Sequence, residues 1–203
     1  LAMRDTGSLP DFGDAHTDRF VADYFAAELA RIPEAQRVFL RDSSALTRMC
    51  PDLCDAVLAR SDSRRMLEEI EGSNLFLVPL DHERVWFRYH DLFRAALLRQ
   101  LEKSDAGATN RIRARASEWC EANDAPDHAL EYALAAGDDD RVARLLCTVA
   151  IPLYQLGRAA MIEDCLARFD DPVLITRHPA VSVLAAFFHT LSGRPFQAER
   201  WAD

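Results

Sequence analysis

Residues 74–98 read NLFLVPLDHERVWFRYHDLFRAALL, and the way this stretch divides decides the fold. Leu75–Val78 is a short apolar run. It meets a turn signal over Pro79–Glu83, and a second extended run follows over Val85–Tyr89. Short runs of this kind, separated by turn residues, predict two strands joined as a hairpin. At His90-Asp91 the period changes. Leu92, Phe93, Ala96, Leu97 and Leu101 recur at three- and four-residue steps, which predicts a long amphipathic helix.

Working outward, the chain before the hairpin predicts helices. Residues 1–17 carry Gly7, Pro10 and Gly13 and read as a tail or extended lead-in. Asp18 is placed to cap a helix with Phe20, Val21, Tyr24, Phe25 and Leu29 inward. Pro33 suits the first turn of the next helix, with Val38, Phe39 and Leu40 inward. Ser44–Met49 is a short connector. Pro51 opens a helix carrying Leu53, Val57 and Leu58. Ser61 or Asp62 caps another, with Met66, Leu67 and Ile70 inward and Gly72 as its stop. Helices, a small β-hairpin and a further helix make a winged-helix arrangement over residues 18–104.

Ser104–Asn110 (SDAGATN) is small and polar, and residues 105–110 read as a linker or hinge. From Arg111 to Asp203 only helical patterns occur. One carries Ile112, Ala116 and Trp119. Another runs from Pro126 to Gly137, and a third runs from Asp138 through Val142, Leu145, Leu146 and Val149. Leu156-Gly157-Arg158 is echoed by Leu191-Ser192-Gly193-Arg194, with the Gly-Arg steps 36 residues apart. A period of this order with paired helices indicates a TPR-like solenoid over 111–203, although no strict TPR or HEAT consensus is met. The expected fold is mainly α: a winged-helix module with a small hairpin, followed by a TPR-like helical array.

Composition narrows the function. The chain has 203 residues, 49% hydrophobic and 28% charged, with a net charge of −9. That balance opposes broad nucleic-acid affinity, which needs clustered positive charge. The helix before the hairpin sets Asp62, Glu68, Glu69 and Glu71 against Arg64 and Arg65, a poor recognition helix for phosphates. Arg outnumbers Lys by 23 to one, a bias that GC-rich coding DNA produces. Cys50, Cys54, Cys120, Cys147 and Cys165 are odd in number and scattered, as expected of reduced cytoplasmic thiols rather than disulfides or a zinc site. No apolar run is long enough to span a membrane. His16, His82, His128, His178 and His189 have no nucleophile beside them in a recognisable motif, so no enzymatic activity is expected of these residues.

Several strings, in order, carry a family resemblance: Ala56-Val57-Leu58-Ala59-Arg60-Ser61-Asp62-Ser63, Met66-Leu67-Glu68-Glu69-Ile70, Asn74 to Asp81, and Trp86-Phe87-Arg88-Tyr89-His90-Asp91-Leu92-Phe93. The segments around Trp119-Cys120-Glu121 and His128 to Asp138 continue it. The chain resembles the large ATP-dependent LuxR-type transcriptional regulators, STAND-class signal ATPases that include a maltotriose-sensing activator. The resemblance implies a cytoplasmic parent protein with an ATPase core, a winged helix, a TPR-like sensor array and a separate C-terminal domain that meets DNA. ATP or ADP would belong to the parent, since no GxxxxGK[ST] occurs here. The implied partners are the parent ATPase domain and a small-molecule or protein effector on the helical repeats. A homo-oligomer would form on activation. No membrane partner is implied. The competing reading is a stand-alone TPR-type adaptor.

His90 and Asp91 are the candidate nucleotide-sensing residues. They resemble a Met-His-Asp motif of related STAND proteins, with Tyr89 where that motif has Met, in which the histidine touches the phosphates of ADP. An imidazole at a helix N-terminus, beside free backbone donors, suits an anion. A purely structural histidine over the Trp86/Tyr89 cluster is the alternative. Arg111, Arg113 and Arg115 read as a solvated helix face or as a contact to an acidic partner. Trp119, Tyr132, Tyr154, Phe187, Phe188 and Trp201 read mostly as core, with a concave ligand surface as the alternative.

Overall fold

The computed structural model describes residue 25, residues 28–73 and residues 76–202. The tail over 1–17, the helix start at Asp18 with Phe20, Val21 and Tyr24, and Asn74 and Leu75 of the first extended run lie outside the described residues. Phe25, Leu29 and Ile32 are buried. Helices α1 (Glu34–Ser43), α2 (Pro51–Leu58) and α3 (Ser63–Gly72) then precede the hairpin. Strands β1 (Leu77–Pro79) and β2 (Phe87–Tyr89) follow, and α4 (Asp91–Ser104) completes the winged helix.

Local details depart from the sequence expectations for physical reasons. Pro33 is the N-cap of α1 rather than part of its first turn. Asp62 stands at the N-cap of α3, but its carboxylate faces Arg60 and Arg65, whose charge-assisted bonds outcompete a backbone cap. Asp55 of α2 takes over, accepting from the Ser63 N–H at 3.0 Å. Gly72 is the last helical residue of α3, and Ser73 is its C-cap. In the hairpin, Pro79 lies in β1, opposite Phe87. Val85 lies outside β2 because Asp81 accepts its N–H and that of Trp86, both at 2.9 Å. That cap builds the turn and holds the Asp81 carboxyl below its ordinary range, chiefly through the Val85 bond.

The connector between α1 and α2 is part of the sheet. Met49 and Phe87 exchange both backbone hydrogen bonds, each at 2.8 Å, so the connector adds a third strand one residue long. Phe39, Leu40, Leu46, Met49, Leu53, Leu67, Ile70, Tyr89, Phe93 and Leu97 are all buried in the core of this half. Tyr89 stays satisfied there because its hydroxyl bonds Ser43 Oγ at 2.7 Å, and Ser43 donates to the Phe39 carbonyl.

The rest of the chain is helical: α5 (Ala108–Ala122), α6 (Pro126–Ala136), α7 (Asp139–Gln155), α8 (Ala159–Ala167), a short 3-10 turn, α9 (Pro172–Arg177), α10 (Pro179–Leu191) and α11 (Pro195–Ala202). α5 packs on α6, α6 on α7 and α7 on both α8 and α10, which gives an array of neighbour-to-neighbour contacts. Within the expected linker only Asp105–Gly107 lie between helices. Gly107, at φ 90°, reverses the chain there, and Ala108 and Thr109 are already buried in α5. α5 packs against α2 and α4, so one continuous apolar core runs through winged helix and array.

The Gly-Arg echo marks equivalent turns. Gly157 and Gly193 take φ 73° and 70°, a left-handed turn that favours glycine. Arg158 reaches back to Asp127, and Arg194 makes the same 31-residue reach to Glu163. Among the described residues no helix is long and apolar enough to cross a membrane.

Candidate functional site

The β2–α4 junction places His90 and Asp91. His90 is the N-cap of α4 in extended conformation, and its side chain makes no capping bond. Its N–H donates to the Phe76 carbonyl at 2.8 Å, and its carbonyl accepts from Arg94 N–H at 2.9 Å. One turn on, Phe93 is wedged among Phe25, Phe76 and Tyr89 at ring separations of 5.1–5.8 Å between neighbours in the cluster. The backbone at His90 is therefore fixed from below while its imidazole is exposed. Asp91 is 90% exposed and accepts from Arg88 at 3.3 Å, tying strand to helix rather than capping the helix end. Leu80 and Val85 of the wing and Leu92 also stay exposed, which suits a segment that another surface covers.

On the face expected to repel DNA, three arginines are internally paired. Arg65 bonds Asp62 and Glu69, Arg84 pairs with Glu71, and Arg60 with Asp62. Positive charge already spent on neighbouring carboxylates is poorly available to phosphates. Apart from the exposed Cys147, the thiols pack as small apolar groups. Cys50, Cys54 and Cys120 are buried, and burial pushes the Cys120 thiol up to about 12. Among the described residues no His, Cys, Asp or Glu cluster could hold a metal ion.

The Arg111, Arg113 and Arg115 cluster splits. Arg111 pairs with Asp105. Arg113 donates to the carbonyls of Ala45 and Ala135, and Arg115 to that of Val57. Two of these arginines thus bond carbonyls in the winged helix, joining the two halves of the chain. Of the aromatic set, Tyr132 and Phe188 are buried and Phe187 is half exposed. Trp201 lines a cavity of about 200 Å³ with His189, and the Arg194–Glu163 and Arg200–Asp170 pairs border it.

The sequence reading passed over Arg48. In the structure it meets two side chains of α6. Tyr132 Oη donates to the Arg48 carbonyl at 2.8 Å, and the Arg48 guanidinium donates to His128 Nε2 at 2.8 Å. Because arginine can only donate, His128 accepts through Nε2 and carries its proton on Nδ1, towards Glu131 at 3.6 Å and Asp127 at 3.9 Å. Arg158 closes the group on the same two carboxylates. No local motif announces these contacts, which span 80 and 84 residues.

The comparisons with known proteins fall on the same residues. The MalT winged helix domain family matches residues 27–109. Serine/threonine-protein kinase PknK of Mycobacterium tuberculosis (strain H37Rv) is 36% identical over 162 residues, covering 80% of this chain and 14% of the kinase. HTH-type transcriptional regulator MalT of Yersinia pestis (strain Pestoides F) is 29% identical over 168 residues, covering 82% of this chain and 18% of the regulator. The chain spans less than a fifth of the length of these relatives. Residues 27–109 thus match the MalT winged helix domain family, and over four fifths of its length the chain is similar to MalT and PknK.

Proposed function

We propose that this chain is a signal-relaying segment of an ATP-dependent LuxR-type transcriptional regulator. The winged helix rests against the parent's nucleotide-binding core with His90 facing the nucleotide, and the TPR-like array receives a small-molecule or protein effector. The observation that carries this is the geometry at His90: an exposed imidazole with no capping bond of its own, on a rigidly held backbone at the positive end of a 14-residue helix. Asp91 braces the junction through Arg88. The relatives support a relay rather than an output. One is named a kinase and the other a transcriptional regulator, yet both share this segment. A part common to two different outputs fits signal handling. In this reading the segment itself performs no catalysis, holds no cofactor and leaves DNA contact to a separate domain.

The test uses the full-length protein loaded with ADP. His90→Ala is expected to speed ADP release by about tenfold or more, the scale of one lost charge-assisted contact. An unchanged release rate would defeat the role of His90. The adaptor reading draws on the apolar side chains Ile151, Val183, Phe187 and Leu191 left exposed on α7 and α10. It would lead if the full-length protein bound no nucleotide.

A further inference from the structure

We infer that Tyr132 and His128 of α6 are positioning residues for His90, acting through the Ser44–Cys50 connector. This rests on the reading of His90 as the nucleotide-facing residue. The connector is held from two directions. From the array, Tyr132 bonds both polar groups of the Arg48 backbone, donating to its carbonyl at 2.8 Å and accepting from its N–H at 3.4 Å. His128 holds the Arg48 guanidinium, and Arg113 of α5 donates to the Ala45 carbonyl. From the winged helix, the very next residue, Met49, exchanges both backbone bonds with Phe87, which opens the strand leading to His90. Arg94, in the first turns after His90, donates to the Leu46 carbonyl at 3.0 Å. The connector therefore grips the chain on both sides of His90 and is itself gripped by α6. A shift of α6 against the winged helix must either drag Arg48 or break its bonds. Either outcome alters the support of β2 and of the first turns of α4. An effector that binds one placement of α6 better than another thereby biases His90.

Hydrogen exchange of the 203-residue chain, followed amide by amide by NMR, tests the coupling without nucleotide. Tyr132→Phe keeps the buried ring and removes only the hydroxyl. The Met49, Phe87 and His90 amides should exchange about fivefold faster, the scale of one lost hydrogen bond, while amides of α10 hold. Tyr154→Phe is the control. It removes a hydroxyl bond of the same kind elsewhere in the array, to the Leu191 carbonyl at 3.4 Å, without touching α6 or the connector. Unchanged wing amides in Tyr132→Phe, or equal acceleration by Tyr154→Phe, would overturn the inference. His128→Gln, whose amide oxygen can still accept from Arg48, should retain the wild-type pattern. His128→Leu should loosen the same amides, and loss of the effect in that variant also counts against the coupling. Accelerated exchange together with an unchanged ADP release rate in His90→Ala would remove the nucleotide role of His90 and leave the coupling standing.

Discussion

In the winged helix, the contacts that close the fold join residues with no common spacing: Ser43 with Tyr89, Met49 with Phe87, Leu46 with Arg94. In the array, four ion pairs between elements recur at similar steps back along the chain, Arg158 to Asp127, Arg168 to Asp139, Arg194 to Glu163 and Arg200 to Asp170, beside others such as Arg144 to Glu121 and Arg177 to Asp140 that take shorter or longer steps. The first half resembles a knot of unique contacts that form together. The second is a ladder whose rungs touch mainly their neighbours, so damage there should stay local. The exposed candidate site, His90, lies in the knotted half, while the surfaces proposed to receive an effector lie on the ladder.

The sharpest way to break this contrast is a large cavity in each half. Phe39 and Phe169 are both buried aromatic residues. Phe39→Ala should cost about 3–5 kcal/mol and release the winged helix as a unit. Phe169→Ala should loosen mainly α8–α10. Hydrogen exchange read per residue with chemical denaturation distinguishes the two. Loss of protection confined to α1 in Phe39→Ala would show that the winged helix is not one cooperative unit. A smaller probe compares the echoed turns. Gly157 and Gly193 both take positive φ, and no neighbouring atom stands where a Cβ would go. Alanine at either should cost about 1 kcal/mol through the backbone alone. Markedly unequal costs, measured by urea midpoints, would mean that the two turns are not equivalent repeat units.

The contrast also explains what the sequence disclosed. The array was legible because its order repeats: the Gly-Arg echo and the three- and four-residue apolar steps are local patterns. The hairpin and the start of α4 were legible for the same reason, since Pro79–Glu83 and His90-Asp91 mark changes of period. The exchange between Met49 and Phe87 was not. The connector Ser44–Cys50 carries no strand pattern, and its pairing is set by the packing of α1, α2 and β2. Nor could the arginines of α5 be assigned. Arg113 and Arg115 look like a solvated face until the carbonyls of Ala45 and Val57 stand opposite them. His90 and Asp91 were visible as residues, and their exposure emerged only with the fold.

The smallest effect concerns pH, at the point where ladder meets knot. Glu131 is held below the usual carboxylate range, first by its contact with His128, with Arg48 and Arg158 also opposing its burial. Asp127 is also held low. Burial is its largest single influence and pushes it upward, but His128 and Arg158 together outweigh it. A carboxylate whose folded value is depressed lends stability above its unfolded value, about 4, and that stability is lost as pH falls through the folded value. Acidification below about pH 4 should therefore weaken the α6 grip on Arg158. Both carboxylates are about one-third exposed, and solvent screening keeps the contribution below about 1 kcal/mol. Glu131→Gln removes one of the two linked groups. Its stability, measured by urea unfolding from pH 6 down to pH 3, should fall less steeply than that of the unaltered chain. Parallel curves would mean that Glu131 is not held in its charged form by this cluster. The arginine and histidine contacts would then be geometric supports for the connector rather than electrostatic ones.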